Sequence, residues 1–269
     1  MTALTLADVT PLAAEPPLLA VDGLCKSFGR QIACRDVSFA LWPGEVLGVV
    51  GESGSGKTTL LNCVSARLPP DAGSIRFRMR DGSIAELFEL SEPMRRLLMR
   101  TDWGIVHQNP RDGLRLGVSA GGNIGERLMA VGARNYGDIR DAARDWLHKV
   151  EIDDARIDEA PRNFSGGMQQ RLQIARNLVS EPRLVFMDEP TGGLDASVQA
   201  RLLDLLRSLC AELGLAAIVV THDLGVARLL AHRLMVMRRG EVVETGLTDQ
   251  VLDDPQHPYT QLLVSSIVQ

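Results

Sequence analysis

A single octapeptide limits what this chain can fold into more than any other feature. It reads Gly51-Glu52-Ser53-Gly54-Ser55-Gly56-Lys57-Thr58 and matches the pattern G-x-x-x-x-G-K-[ST]. An apolar run at residues 45–50 predicts a strand before it, and a helix is predicted from Lys57 to about Leu68. Because small residues let consecutive N–H groups converge at a helix N-terminus, the segment predicts a phosphate-binding loop. We expect Lys57 to reach the β- and γ-phosphates and Thr58 to ligate Mg²⁺.

Apolar runs at 184–187 and 215–220 predict two further buried strands. A helical pattern precedes each, most clearly over residues 197–213, and this alternation is typical of a parallel sheet. The 269 residues leave room for one large α/β domain with an inserted subdomain, or for two small domains.

Other segments predict what is attached to that sheet. Residues 18–28 and 32–41 predict an antiparallel pair, which residues 73–90 join through an Asp81-Gly82 turn. A glycine-rich region with helical periodicity predicts a helical insertion at about 109–170. We therefore expect a flexible tail over residues 1–17 and one phosphate-loop α/β domain over 18–269, with a small antiparallel β subdomain and an inserted α-helical subdomain.

Composition excludes several classes of protein. The net charge of −5 provides no general attraction for nucleic acid or anionic lipid. Apolar runs are far shorter than a membrane helix requires, and the N-terminus has no basic region typical of a signal peptide. Four scattered cysteines without a CxxC pair argue against a disulfide framework and a structural zinc site. We expect a cytoplasmic protein with no nucleic-acid partner and no membrane insertion.

Two acidic residues, Asp188 and Glu189, follow the apolar run at 184–187. Parallel strands place ligand chemistry at their carboxyl ends, so we expect Asp188 to face the phosphate loop and to hold Mg²⁺ through water. Glu189 is then placed to orient or deprotonate an attacking water. A solvated turn is the alternative interpretation of such a pair.

A second candidate anion site begins at Ser165-Gly166-Gly167, which opens a predicted helix. Taken alone, such a triplet is usually a helix cap. Together with the phosphate loop, however, it would give one chain two helix N-termini that bind phosphate, which is a more specific signal.

The ordered set of motifs resembles the ATP-binding-cassette ATPases over nearly the whole chain. It comprises the phosphate loop, Gln108, residues 164–169, 184–189, 193–195 and 220–223. The resemblance implies Mg-dependent ATP hydrolysis by two cassettes packed head to tail, with ATP and Mg²⁺ as cofactors. The residues that it implies for contact with ATP are Phe28, Gly51, Glu52, Ser53, Gly54, Ser55, Gly56, Lys57, Thr58, Thr59 and Gln108. Contacts to the ATP of the other cassette are implied for Ser165, Gly166, Gly167 and Asp195. Metal contacts are implied for Thr58, Gln108 and Asp188, and catalytic roles for Glu189 and His222.

Within this family, residues 41–46, 118–129, 164–177 and 253–260 resemble the ATP-binding subunits of the phosphonate carbon–phosphorus lyase system. The resemblance implies a second cassette and a soluble lyase core as partners. The His-Pro-Tyr-Thr element at 257–260 also occurs in peptide-importer ATPases, but these commonly continue beyond it with clustered cysteines. We expect the lyase-associated class and keep two alternatives, an importer ATPase and an ATP-gated scaffold that barely hydrolyses. The basic run at 95–100 is either a partner surface or a solvated helix face.

Overall fold

The structure, a computed structural model, describes residues 16–266. Most of the tail expected over residues 1–17 lies outside the described residues. The strands are β1 (Leu19–Phe28), β2 (Gln31–Leu41), β3 (Val46–Val50), β4 (Ala72–Arg78), β5 (Ile84–Glu86), β6 (Trp103–Val106), β7 (Leu184–Asp188), β8 (Ala216–Thr221), β9 (Arg233–Arg238) and β10 (Glu241–Leu247). The α-helices are α1 (Lys57–Val64), α2 (Glu92–Thr101), α3 (Pro110–Gly113), α4 (Ala120–Ala130), α5 (Tyr136–Lys149), α6 (Gly166–Leu178), α7 (Ala196–Leu213), α8 (Leu224–Leu230), α9 (Thr248–Asp253) and α10 (Pro258–Ser265).

A six-stranded sheet forms the centre of the protein, in the order β10-β9-β3-β8-β7-β6. The five strands from β9 to β6 are parallel, and β10 pairs antiparallel with β9 at the edge. Every residue of β3 and β8 is buried. Continuous apolar runs are what a parallel strand covered on both faces requires, so the prediction of a parallel core is confirmed.

A second, antiparallel sheet has the order β2-β1-β4-β5. Three aromatic side chains join it to the central sheet, because Trp103 of β6 is fully buried between Phe77 of β4 and Phe186 of β7. The ring centroids lie 5.3 and 5.4 Å apart in edge-to-face geometry. Such pairs contribute about 0.5–1.5 kcal/mol each beyond the area that they bury.

The helical insertion follows β6 and leads into α6. Short 3₁₀ turns at Asp154–Arg156 and Pro161–Asn163 connect α5 to α6. Buried Ile124, Ala143 and Leu147 place α4 and α5 in the same apolar core as α6. The expected fold class, with a parallel sheet, an antiparallel β subdomain and inserted helices, is confirmed.

Some expected details differ. Helix α1 ends at Val64 instead of about Leu68, because the chain turns at Ala66, whose φ is +59°. The basic run lies on α2, where only Leu98 is fully buried, Met99 is partly buried and most of the remaining residues are exposed. None of the helices within residues 16–266 has the length and apolar character that a membrane crossing needs.

Candidate ATP site

An open cleft of about 790 Å³ lies at the carboxyl ends of β3, β6, β7 and β8. The positions at the ends of parallel strands converge there, as the topology requires. The cleft is lined by Phe28, Gln31, Ala33, Glu52, Ser53, Gly54, Gly56, Lys57, Thr58, Thr59, Gln108, Asp188, Glu189 and His222. The structure therefore brings together most of the residues proposed from the sequence, and it adds Gln31 and Ala33 from β2.

The phosphate loop fits an anion because its glycines keep the backbone accessible. Gly56 is the N-cap of α1 with φ +107° and makes no side-chain cap hydrogen bond, so the first N–H groups of α1 are directed toward the cleft. A Cβ atom at Gly56 would lie 2.0 Å from the carbonyl oxygen of Ala33. At Gly51 it would lie 2.2 Å from the carbonyl oxygen of Met237. Glycine is therefore required at both ends of the loop.

Lys57 is 6% exposed, and its ammonium group is held by the loop itself. Its Nζ atom donates to the carbonyl oxygens of Gly51 and Glu52, at 2.8 Å each. Burial lowers the pKa of Lys57, and the carboxylates of Glu189, Asp188 and Glu52 partly offset this effect. The cation is thus held in a set position beside the N-terminus of α1, where phosphate oxygens are expected to bind.

Two oxygen donors suited to Mg²⁺ meet across the cleft. The hydroxyl group of Thr58 donates to the Asp188 carboxylate at 3.3 Å. Burial raises the pKa of Asp188, whereas the Thr58 hydrogen bond lowers it. Mg²⁺ is usually held by one or two protein oxygens together with phosphates and waters, so the pair fits this ion. The side chain of Gln108 lines the same cleft.

Glu189 and His222 form a pair at the mouth of the cleft. The Nδ1 atom of His222 lies 2.7 Å from the Glu189 carboxylate. Glu189 has φ +45°, a left-handed conformation that is costly for a residue other than glycine. Its N–H group donates to the carbonyl oxygen of Val220 at 2.8 Å, and this hydrogen bond connects the end of β7 to β8. The backbone therefore turns Glu189 away from the direction that an extended strand would give it.

The segment at Ser165 lies outside this cleft. Ser165 is the N-cap of α6 and accepts the N–H of Met168 at 3.3 Å. A Cβ atom at Gly167 would lie 2.6 Å from Val198, and one at Gly166 would lie 3.9 Å from Leu194. These two contacts flank Asp195 in sequence. The four residues expected to act in trans thus lie close to one another, and none of them lines the cleft of their own chain.

The sequence of the chain matches a known protein family. The pattern of the ABC transporter family matches residues 34–192, more than half of the chain. This chain belongs to the ABC transporter family. It is therefore an ATP-binding cassette and an ATPase.

Curated relatives of the cassette point to two kinds of system. It is 68% identical over 253 residues to PhnK of Escherichia coli (strain K12), whose name describes a phosphonates utilization ATP-binding protein; the alignment covers 94% of this chain and 98% of that one. It is 40% identical over 261 residues to BAB2_1052 of Brucella abortus (strain 2308), named as a peptide import ATP-binding protein; the alignment covers 93% and 77% of the two chains.

A similar cassette of known structure is a dimer. The cassette superposes with a TM-score of 0.75 on MJ0796, a dimeric ATP-binding cassette bound to ADP and Pi in a post-hydrolysis state. The two sequences are 28% identical, and the match covers 86% of this chain and 98% of MJ0796. ABC cassettes form dimers.

Sequence reasoning missed the polar residues that connect α6 to the cleft. Gln173 accepts the N–H of His107 at 2.7 Å and donates to the carbonyl oxygen of the same residue at 3.1 Å. Gln170 donates to the carbonyl oxygen of Pro190 at 2.8 Å. Helix α6, which Ser165 caps, is therefore attached to the residues next to Gln108 and Glu189. Two glutamines spaced i, i+3 on an otherwise buried helix face are the available sequence signal.

Proposed function

We propose that this cassette is the ATP-hydrolysing subunit of a carbon–phosphorus lyase assembly, in which nucleotide-driven closure of a cassette pair remodels a soluble phosphonate-degrading core. The single observation that carries the proposal is the 68% identity to a protein named for phosphonates utilization, over 94% of this chain. The subunit acts in the cytoplasm, without inserting into a membrane and without binding nucleic acid.

In this proposal most residues of the cleft have a defined role. Phe28, which is 52% exposed at the cleft edge, stacks on the adenine ring. The loop from Gly51 to Thr59 and Lys57 bind the phosphates. Thr58, Asp188 and Gln108 would hold Mg²⁺, and the bound ion would neutralise charge on the phosphates. Glu189 takes the proton of the attacking water, and His222 positions Glu189 through Nδ1 while Nε2 faces the γ-phosphate.

The second half of each site comes from a partner cassette, either a second copy or a related chain. Ser165, Gly166, Gly167 and Asp195 lie together outside their own cleft. A head-to-tail pair places this group over the γ-phosphate bound by the other cassette. The dimeric state of MJ0796 supports this arrangement.

An arginine-lined cleft supports docking on an acidic surface of the core. It has a volume of about 340 Å³ and lies between α2, α4 and α6. The arginines that line it are Arg67, Arg96, Arg100, Arg127 and Arg176. Burial, together with the nearby cations Arg176 and Arg100, lowers the pKa of Arg127 to about 10. Carboxylates of a partner would relieve this repulsion.

The cleft is also connected to the ATP site. His107, which precedes Gln108, lines the arginine cleft, and its Nε2 atom lies 3.1 Å from the Arg67 guanidinium. Gln173 of α6 hydrogen-bonds to the backbone of His107, the residue next to Gln108. A movement of Gln108 would therefore be transmitted to the arginine cleft. A core docked there would sense whether ATP is bound.

Capture of the core from native extract by tagged cassette tests the proposal. Core subunits should co-purify, and Arg100→Glu should abolish capture without changing basal hydrolysis of Mg-ATP. Arg207→Glu on α7 is the matched control, since Arg207 is exposed and lies outside the arginine cleft. Purification without lyase-core subunits contradicts the partner assignment.

A peptide-importer ATPase is the second candidate function, favoured by the 40% identity to BAB2_1052. In this case the cassette would co-purify with membrane permease subunits. The same capture experiment, performed on a detergent extract, separates the two candidates.

A further inference from the structure

The His-Pro-Tyr-Thr element contacts the phosphate loop. Tyr259, on α10, is 3% exposed, and its hydroxyl oxygen accepts the backbone N–H of Glu52 at 3.0 Å. The two residues are 207 positions apart in sequence. Glu52 is the second residue of the loop, so the C-terminal part of the chain directly determines the orientation of a loop peptide.

That peptide is the one that Lys57 holds. The bond between Gly51 and Glu52 carries a carbonyl oxygen that accepts from Lys57 Nζ at 2.8 Å, and an N–H that donates to Tyr259. A planar trans peptide directs these two groups to opposite sides. Tyr259 and Lys57 therefore hold opposite edges of one rigid plane, and rotation of this plane would move the acceptor of the lysine.

Several contacts fix the tyrosine. The Arg238 guanidinium lies 4.8 Å from the ring centroid, a distance typical of a cation–π contact. His257 caps α10, with Nδ1 accepting the N–H of Tyr259 at 3.1 Å. The Glu244 carboxylate on β10 accepts the N–H groups of Gln256 and His257 at 2.8 and 3.0 Å. The hydroxyl group thus has a defined position relative to the central sheet.

A second contact from the same part of the chain supports the loop. Gly240, in the turn between β9 and β10, donates its N–H to the carbonyl oxygen of Ser55 at 2.9 Å. The loop is therefore held at Glu52 and at Ser55 by residues that follow His222 in sequence.

We propose that Tyr259 is a positioning residue for nucleotide binding, which sets the Gly51–Glu52 peptide and through it the position of the Lys57 ammonium group. This inference rests on the proposed role of Lys57 in phosphate binding. The chemistry of hydrolysis remains with the residues of the cleft, and Tyr259 touches none of the reacting atoms.

Equilibrium binding of ATP to purified Tyr259→Phe tests this inference. Loss of the hydroxyl group and of its hydrogen bond to the Glu52 N–H should raise the Kd for ATP by more than twofold and up to about tenfold. The thermal unfolding midpoint without nucleotide should fall only slightly, because the ring and its packing remain. Tyr136→Phe is the matched control: it removes the hydroxyl group of the other tyrosine, which is 72% exposed on α5, and should change neither quantity.

Two further variants separate positioning from general stability. Tyr259→Leu removes the ring as well; it should lower the unfolding midpoint further while raising the Kd no more than Tyr259→Phe does. Lys57→Ala tests the underlying assignment, because it should abolish tight ATP binding. If Lys57→Ala binds ATP as tightly as the wild type, the phosphate-site assignment fails. If Lys57→Ala loses binding but the Kd of Tyr259→Phe stays within twofold of the wild type, the positioning role fails.

Discussion

Replacement of Glu189 by glutamine separates ATP binding from ATP hydrolysis. Glutamine preserves the shape of the side chain, and its amide oxygen can still accept from His222, at the place where the carboxylate now lies 2.7 Å from Nδ1. It removes the negative charge and the ability to take a proton. We therefore expect Glu189→Gln to bind ATP and to hydrolyse it very slowly.

The size of the effect follows from the role assigned to the carboxylate. General-base assistance is typically worth about 10²–10⁴ in rate, and the rate of Glu189→Gln should fall by that factor. This corresponds to about 2.7–5.4 kcal/mol of activation free energy. Glu189 also raises the pKa values of Lys57 and Asp188, so both should fall in the variant. Neither change removes a phosphate-binding group.

Single-turnover release of phosphate from Mg-ATP measures the rate, and equilibrium binding measures the affinity. Size-exclusion chromatography in Mg-ATP should show that the variant accumulates as a dimer. Glu181→Gln is a closely matched control, because Glu181 is exposed and shares the left-handed backbone of Glu189, with φ +49° against +45°. A Glu189→Gln chain that binds ATP but hydrolyses it within tenfold of the wild-type rate would refute the general-base role, and equal rates would favour the scaffold alternative.

Two more outcomes are expected. Asp188→Asn should abolish Mg-dependent hydrolysis yet raise the unfolding midpoint of the nucleotide-free chain at pH 7. Because burial raises the pKa of Asp188, its charge destabilises the folded chain until the pH falls through that pKa. The difference in unfolding midpoint between the variant and the wild type should therefore narrow in acid, and a difference that widens in acid contradicts this reasoning. Mixing inactive Ser165→Ala with inactive Lys57→Ala should restore about a quarter of wild-type hydrolysis if two copies pair randomly, since half of the dimers then hold one intact site. No restoration would argue against trans sites in a self-pair.

The core of the site was predictable because its signals are local. The phosphate loop is a contiguous motif, and strands β7 and β8 are unbroken apolar runs whose carboxyl ends must converge once the sheet is parallel. Asp188 is the last residue of β7, and His222 directly follows β8. The expected positions of both residues therefore needed only the strand assignments and the topology.

Other elements lacked a strong local signal. Strand β6 has only four residues, which is too short for a periodicity to be recognised. Strand β10 lies at the edge of the sheet with most of its side chains half-exposed, so it resembles a surface loop in composition. Helices α8, α9 and α10 have only seven, six and eight residues, which is too short for a helical periodicity to stand out.

The contacts that hold the phosphate loop in shape could not be predicted for a different reason. They join residues that are far apart in sequence: Gly51 packs on the carbonyl oxygen of Met237, Ser55 accepts from Gly240, and Glu52 donates to Tyr259. All three partners lie beyond residues 34–192, the part matched by the family pattern. The motif therefore specifies which residues form the loop, whereas the conformation of the loop depends also on the last quarter of the chain. A truncation that removes α10 would leave every residue of the phosphate loop in place and still remove the Tyr259 hydroxyl group that holds the Gly51–Glu52 peptide.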